Sequence, residues 1–591
     1  MCGIAGMMTA DPAGPAASLL ERLADAIAHR GPDGTGTYRS GDVGFVHNRL
    51  AIIDLVTGDQ PLYDAGGTAL VGNGEIYNHV ELRATLAGWP FRTQSDCEPP
   101  LALYRQDGLG FAEKLRGMYA LALHDPRDKR LVLARDPFGI KPLYYAQGPA
   151  GFAFASEAQA LRAAGFGTGR LVAARRAELL QLQFQTGDET VFEGIKRLLP
   201  GDTLAVAGGR IVERRRRAAL PEGGPVEIGH EAALLEFDRV LQDSVLVHQR
   251  SDVPYGMFLS GGVDSSAVLA MMARLNEKPV RAFTAHFPDS DAADEREAAR
   301  RVASACRAEL AEVPVTAADF FAHLPAIAAA MDDPAADYAV VPTWLLARAA
   351  RAAGLKVVLS GEGGDELFGG YGRYRSAVKP WWMGGRPMRR RGTFEELGVL
   401  RADTRGWRDG IAASETMARA EGRTRLQVAQ AVDIADWLPN DLLAKLDRCL
   451  MAHAVEGRTP FLDPAMAAFA FRLPDAMKVH KRWGKWLVRG WLDRTLPEAR
   501  AFAPKQGFTV PVQRWIAGTG AKLGPLVAAN AGIAEIADPG AVASLFRHAD
   551  EKRTGFAAWT LLFYALWHRC HVQGQAPSGD VFHALDTARA A

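Results

Sequence analysis

Cys2 stands directly behind the initiator Met1, so removal of one methionine would leave a thiol and a free α-amino group on a single residue. That combination is a nucleophile carrying its own base. The thiol attacks a carbonyl, and the amine, with an ordinary pKa of about 7.7 to 8.0, relays the proton. Three further segments hold side chains suited to such a reaction. His47-Asn48-Arg49-Leu50 ends an apolar run with an arginine able to grip a carboxylate with two parallel hydrogen bonds. Asn73-Gly74-Glu75-Ile76-Tyr77-Asn78 sets a side-chain amide beside a glycine whose N–H can approach a ligand closely, the parts of an oxyanion hole. Thr93-Gln94-Ser95-Asp96 supplies an acid, and His29 to Gly34 is a tight polar turn able to close over a small ligand.

A second set of residues suits phosphate. Leu259-Ser260-Gly261-Gly262-Val263-Asp264-Ser265-Ser266 lies between an apolar run and a helical pattern. Small residues there let backbone N–H groups reach phosphate oxygens in front of a helix N-terminus. The loop lacks the lysine of a Walker A motif. Ser360 to Tyr371, with Glu362 and Asp365 among its glycines, again follows a short apolar run.

The elements that must carry these residues fall into two patterns. Over residues 1–205, short β-rich runs (Asp42–His47, Ala69–Asn73, Tyr119–His124, Leu131–Ala134, Gly151–Ala155) surround helical spacing at Ala17–His29 and Asp96–Gln106. This predicts an α+β layered domain. Residues 206–230, rich in Gly, Arg, Pro and Glu, read as a linker, with Arg214 to Arg217 solvated. From 231 to 591 strand and helix alternate, with strands predicted at Tyr255–Leu259, Val280–Phe287 and Lys356–Leu359. That order requires a parallel sheet covered by helices, and beyond residue 371 the pattern is mostly helical.

Composition narrows the partners. A chain of 591 residues is too long for one core. A net charge of +1 gives no electrostatic reason to expect nucleic acid or a membrane surface. Five widely spaced cysteines with no Cys-x-x-Cys pair fit a reducing cytoplasm, and no run of about 18 apolar residues suggests a membrane span.

Together, Cys2-Gly3-Ile4, the His29–Gly34 turn, Asn73–Asn78 and Ser95-Asp96-Cys97-Glu98 resemble the class II glutamine amidotransferases, which have an αββα N-terminal-nucleophile fold. The resemblance implies that Cys2 forms a γ-glutamyl thioester while Asn73 and the Gly74 N–H hold the oxyanion. Arg49 would bind the glutamine α-carboxylate, and Glu75 and Asp96 would face its α-amino group. Ser-Gly-Gly-x-Asp-Ser resembles the pyrophosphate loop of the ATP pyrophosphatases, which cleave ATP between its α and β phosphates. The order of the Cys2 domain, this loop, Ser360–Tyr371 and Glu456–Asp463 is that of the glutamine-dependent asparagine synthetases, over nearly the full chain. The resemblance implies that Phe258, Ser260, Gly261, Gly262, Asp264, Ser265, Ala285, Ser360 and Gly361 bind ATP. It implies Mg²⁺ at Asp264 and Asp365, proton handling by Glu362, and charge neutralisation at the α-phosphate by Lys485. Glutamine, aspartate and ATP are the expected small-molecule partners, ammonia would travel inside the protein, and the family allows a homodimer. Met331 to Trp344 occupies the region where such enzymes contact aspartate, yet it has no arginine to hold the substrate carboxylate. A different acceptor carboxylate is therefore the alternative reading.

Overall fold

A computed structural model of the chain describes residues 2–11, 13–288, 295–503 and 510–586. The first part contains β1 (Gly3–Thr9), β2 (Gly34–Ser40), β3 (Val43–Arg49), β4 (Leu62–Tyr63), β5 (Ala69–Ile76) and β6 (Gly117–Asp125). It continues with β7 (Arg130–Arg135), β8 (Tyr144–Gly148), β9 (Gly151–Ala155), β10 (Ile195–Arg197), β11 (Asp202–Ala207) and β12 (Arg210–Arg216). They form two antiparallel sheets, ordered β10-β8-β9-β1-β3-β2 and β12-β11-β7-β6-β5-β4.

Period-two alternation assigns each strand's side chains to two layers. On β1, Ile4 and Met8 point into the core between the sheets, where they meet Phe45, Val71, Ala122 and Phe154. Ala5 and Met7 face the other way, toward Leu20 and Leu23 of helix Ala17–Ala26. On the far side, Leu101 and Leu103 of helix Pro99–Asp107 cover Leu70 and Leu121 of the second sheet. The result is the expected αββα layering. Because both faces of β1 are covered, its whole length is buried.

The stretch read as a linker from residue 206 is in part a hairpin. Gly208-Gly209, both at positive φ, turn β11 into β12. Arg216 Nε meets Asp202 Oδ1 at 2.7 Å, and Arg217 donates to the carbonyls of Ala112 and Leu115. The basic run is thus a charged edge strand with fixed partners, a usual way to keep an edge from pairing further. The hairpin and its turn account for the glycine and arginine content that resembled a linker.

The second part is built on β13 (Tyr255–Phe258), β14 (Arg281–His286), β15 (Glu309–Pro314), β16 (Val357–Leu359) and β17 (Glu456–Arg458), parallel and ordered β15-β14-β13-β16-β17. Beyond the sheet the chain is largely helical, centred on the buried helix Lys552–His571 with Trp559 and Trp567 inside. The C-terminal ends of β13 and β16, next to each other at the middle of the sheet, deliver Ser260 and Ser360 to the same crevice, the usual ligand position of an open parallel sheet.

Candidate active sites

The register of β1 against β3 pairs Gly3 with Asn48, so Cys2 lies one step on, level with Arg49. On β5, Asn73 is fully buried and its Oδ1 accepts a hydrogen bond from the Cys2 nitrogen at 3.2 Å. That nitrogen becomes the α-amino group once Met1 is gone. Asn73 Nδ2 is buried with no partner among the described residues, which leaves a free donor beside the nucleophile. Gly74 has φ 148°, and a β-carbon there would stand 2.0 Å from the Met118 carbonyl oxygen on β6. Only glycine can hold this part of the strand.

Burial raises the Cys2 thiol above its ordinary range, so the thiol needs a base to become a nucleophile. His47 is a poor candidate for that base, since burial and then Arg49 push it down to about 3 and leave the imidazole weakly basic. Burial, reinforced by Glu456 and Asp96, raises the Glu75 carboxyl well above the usual range, and burial likewise raises Asp96. Asp96 Oδ2 accepts from the Ile76 N–H at 2.7 Å. Two carboxyls crowded in a dry pocket are stabilised by an arriving cation, as an α-ammonium group would be. Arg49 NH1 donates to Asp59 Oδ1 at 2.7 Å, and that aspartate is 82 % exposed. A surface carboxylate therefore sits on the guanidinium where a substrate carboxylate could exchange with it.

The phosphate loop opens helix Val263–Leu275 with Gly262 at its cap. A cavity of about 800 Å³ adjoins it. Phe258, Ser260, Gly261, Gly262, Asp264, Ser265, Ala285, Ser360, Gly361, Glu362, Asp365 and Lys485 all line this cavity, so every nucleotide-site residue expected from the sequence is brought together. The two glycine-rich loops press on each other. A β-carbon on Gly361 would lie 2.8 Å from the Ser265 nitrogen, and one on Gly364 only 2.5 Å from Asp264 Cγ.

Lys485, in a left-handed conformation ahead of helix Trp486–Thr495, places Nζ 2.7 Å from both Asp264 Oδ2 and Asp365 Oδ1. Two carboxylates gathered on one ammonium group could also share a cation. Among the described residues no three His, Cys, Asp or Glu are grouped to hold a metal unaided. Burial raises the Glu362 carboxyl, opposed by Lys445 and assisted by Asp337 and Asp365.

Several residues were not anticipated. Arg30 is fully buried. Its Nε donates to the Cys2 carbonyl at 3.2 Å, and its NH1 and NH2 donate to Asp447 at 2.8 and 3.1 Å, joining the nucleophile's strand to helix Leu443–Met451. Arg458 on β17 lies 3.4 Å from Glu75 Oε1, and its carbonyl accepts from the Ser360 N–H at 2.8 Å. One residue thus touches both sites. The Met331–Trp344 stretch divides. Tyr338, Ala339, Pro342 and Thr343 line the cavity, but Asp332 is paired with Arg448 and Asp333 with Arg197 in the contact between the two parts. Lys445 and Arg489 also line the cavity. No motif in the sequence marks these distant pairings.

Residues 1–216 match the glutamine amidotransferase domain and residues 236–569 the asparagine synthase family. Asparagine synthetase [glutamine-hydrolyzing] 1 of Bacillus subtilis is 31 % identical across 99 % of both chains. A Mycobacterium bovis protein with a provisional asparagine synthetase [glutamine-hydrolyzing] name is 35 % identical across 97 % of this chain and 98 % of its own. Amidase chry2 of Gibberella zeae is 33 % identical over 64 % of this chain and 60 % of its own. The chain belongs to the asparagine synthase family, as an ATP-dependent ligase that uses glutamine.

Proposed function

We propose that the protein is a glutamine-dependent asparagine synthetase working in the cytoplasm, with Mg²⁺ carried on ATP. The Cys2 thiol attacks the glutamine γ-amide. The tetrahedral oxyanion is held by Asn73 Nδ2 and the Gly74 N–H, ammonia leaves, and water releases glutamate from the thioester. Arg49 grips the glutamine α-carboxylate, and Glu75 and Asp96 receive its ammonium. In the second site the aspartate β-carboxylate attacks the α-phosphorus of ATP and pyrophosphate departs past Ser260 to Ser265. Asp264 and Asp365 would hold the cation of that pyrophosphate, and Lys485 would balance charge at the α-phosphate. Ammonia then attacks the β-aspartyl carbonyl, AMP leaves, and Glu362 takes the proton. Activation is needed because a carboxylate resists attack by ammonia. Internal transfer is needed because ammonia in water at pH 7 is mostly ammonium.

The observation that carries this reading is the pairing, in one chain, of the unspent Asn73 donor beside Cys2 with a cavity lined by all the expected nucleotide residues. The reading predicts asparagine, glutamate, AMP and pyrophosphate from aspartate, glutamine and ATP. Cys2→Ala should abolish glutamine use while ammonia-dependent synthesis persists, and Glu362→Gln should do the reverse. Equal loss of both activities in Cys2→Ala, or ADP as the product, would refute it. A different acceptor is the second reading, favoured by the absence of arginine from Met331 to Leu346. Pyrophosphate release with another acid and none with aspartate would establish it.

A further inference from the structure

The cavity needs a group that tells one acceptor acid from another, and the wall that includes Tyr338, Ala339, Pro342 and Thr343 contributes no cation of its own. Among the described residues, five cationic side chains line the cavity: Arg301, Lys445, Lys485, Arg489 and Arg500. Four belong to its phosphate end. Lys485 bridges Asp264 and Asp365. Arg489 donates to the Gly484 carbonyl at 2.9 Å and to the Ala501 carbonyl, which ties Arg500 to the same side. Arg301 comes from helix Arg296–Ala305, whose Ala298 and Ala299 pack against Gly261 of the phosphate loop.

Lys445 is the fifth, and it stands elsewhere. Its backbone leaves a π-helical stretch, Asp433–Leu442, and enters helix Leu443–Met451. Such wide turns often mark functional positions. The residue is only 5 % exposed, and Asp337, next to Tyr338 of the cavity wall, holds Nζ at 2.7 Å. Lys445 is also the main favourable charge acting on the Glu362 carboxylate. It therefore lines the same cavity as Glu362, the residue proposed to take the proton from ammonia, and is held there by Asp337.

We infer that Lys445 binds the second, non-reacting carboxylate of the acceptor, so the acceptor class is a dicarboxylic acid, and that Asp337 is a positioning residue that aims the ammonium group. This deepens the reading given above and rests on it, because in aspartate that second carboxylate is the α-carboxylate. Lysine provides a compact charge with three donors, enough to keep Asp337 and accept a carboxylate. A buried group that loses such a partner is left unpaired, so analogues without the carboxylate should be rejected strongly.

The test uses the full-length enzyme and reads pyrophosphate release with ammonia as nitrogen source. In the unaltered enzyme, aspartate and succinate should bind and β-alanine, which lacks the α-carboxylate, should not. Lys445→Met should raise the KM for aspartate about 10- to 100-fold, leave the KM for ATP and the glutaminase kcat unchanged, and abolish the preference for aspartate over β-alanine. Lys445→Arg should restore part of it. Asp337→Asn should raise the aspartate KM less than Lys445→Met does. The inference is overturned if β-alanine binds as well as aspartate, if a monocarboxylic acid is the preferred acceptor, or if Lys445→Met changes the KM for ATP and aspartate by the same factor. Should Lys445→Met fail to fold, the analogue series in the unaltered enzyme decides alone. If aspartate is silent and another dicarboxylic acid is active, asparagine synthesis is refuted while the role of Lys445 stands.

Discussion

At the residue scale, the surroundings of Cys2 are organised by unmet demand. Asn73 spends its carbonyl on the Cys2 nitrogen and, among the described residues, keeps both Nδ2 protons unpaired in a buried place. An unpaired buried donor costs free energy unless something in the reaction uses it, and a developing oxyanion is such a use. Asn73→Ala should therefore lower the glutaminase kcat about 100- to 1,000-fold, with a small change in the KM for glutamine, as steady-state glutamate production would report. Glu366, to which neither proposed reaction assigns a role, shows the cost of burying a carboxylate. It is buried and accepts from the Tyr371 hydroxyl at 2.6 Å, and burial followed by the nearby Asp365 raises it from 4.5 to about 8. Between pH 4.5 and 8 the folded chain holds a proton there that the unfolded chain has lost. Its stabilising contribution is therefore full below pH 4.5 and is lost as pH rises through 8, a change on the order of 5 kcal/mol. Thermal midpoints across that range should fall less steeply in Glu366→Gln than in the unaltered protein.

At the scale of elements, two loops from neighbouring parallel strands touch to form the wall of the cavity proposed to bind ATP. The Gly361 and Gly364 positions approach the Asp264 backbone and carboxylate so closely that the loops can meet only because neither glycine has a side chain. Gly364→Ala would need Asp264 to move, and with it the Asp264–Lys485–Asp365 pairing proposed to hold the phosphates and their cation. We expect the KM for ATP to rise at least about tenfold, the cost of a misplaced charge-assisted contact, while glutamine hydrolysis continues. Parallel assays of pyrophosphate and glutamate on one preparation check both statements. The same scale explains the hairpin of β11 and β12. Glycine and arginine content signalled a linker, but pairing of β11 with β7 gives that segment a sheet to join.

At the scale of the whole molecule, the two parts are fastened by buried ions. Arg30, Glu157, Asp447, Arg448 and Asp332 form a network at the contact, and Arg197 with Asp333 forms a second. Replacing one member leaves a buried charge uncompensated, which typically costs about 3–5 kcal/mol. Asp447→Asn should lower the thermal midpoint. Because Arg30 also holds the Cys2 carbonyl, it should depress glutamine-dependent synthesis more than ammonia-dependent synthesis. Equal depression of the two would show that this contact only supports the fold. Arg458, reaching Glu75 with its side chain and Ser360 with its carbonyl, places the two sites within one residue of each other.

The sequence by itself determined the family, which short, contiguous motifs carry. Cys2, Asn73-Gly74, Ser260 to Ser265 and Ser360 to Asp365 each lie on a loop or strand end whose local glycines and small side chains are needed for ligand approach, so residue type and spacing announce them. Strands with clear turn signals, such as β3, β6 and β9, were legible for the same local reason. Short strands such as β17, and β1 with both faces covered, carry no alternation of apolar and polar residues to read. Only the tertiary structure decided which charges meet. Arg30 finds Asp447, Lys445 finds Asp337, and Arg458 finds Glu75 across 417, 108 and 383 positions. A buried ion pair requires a partner in space, and the chain carries no local sign of a partner that folding alone brings near.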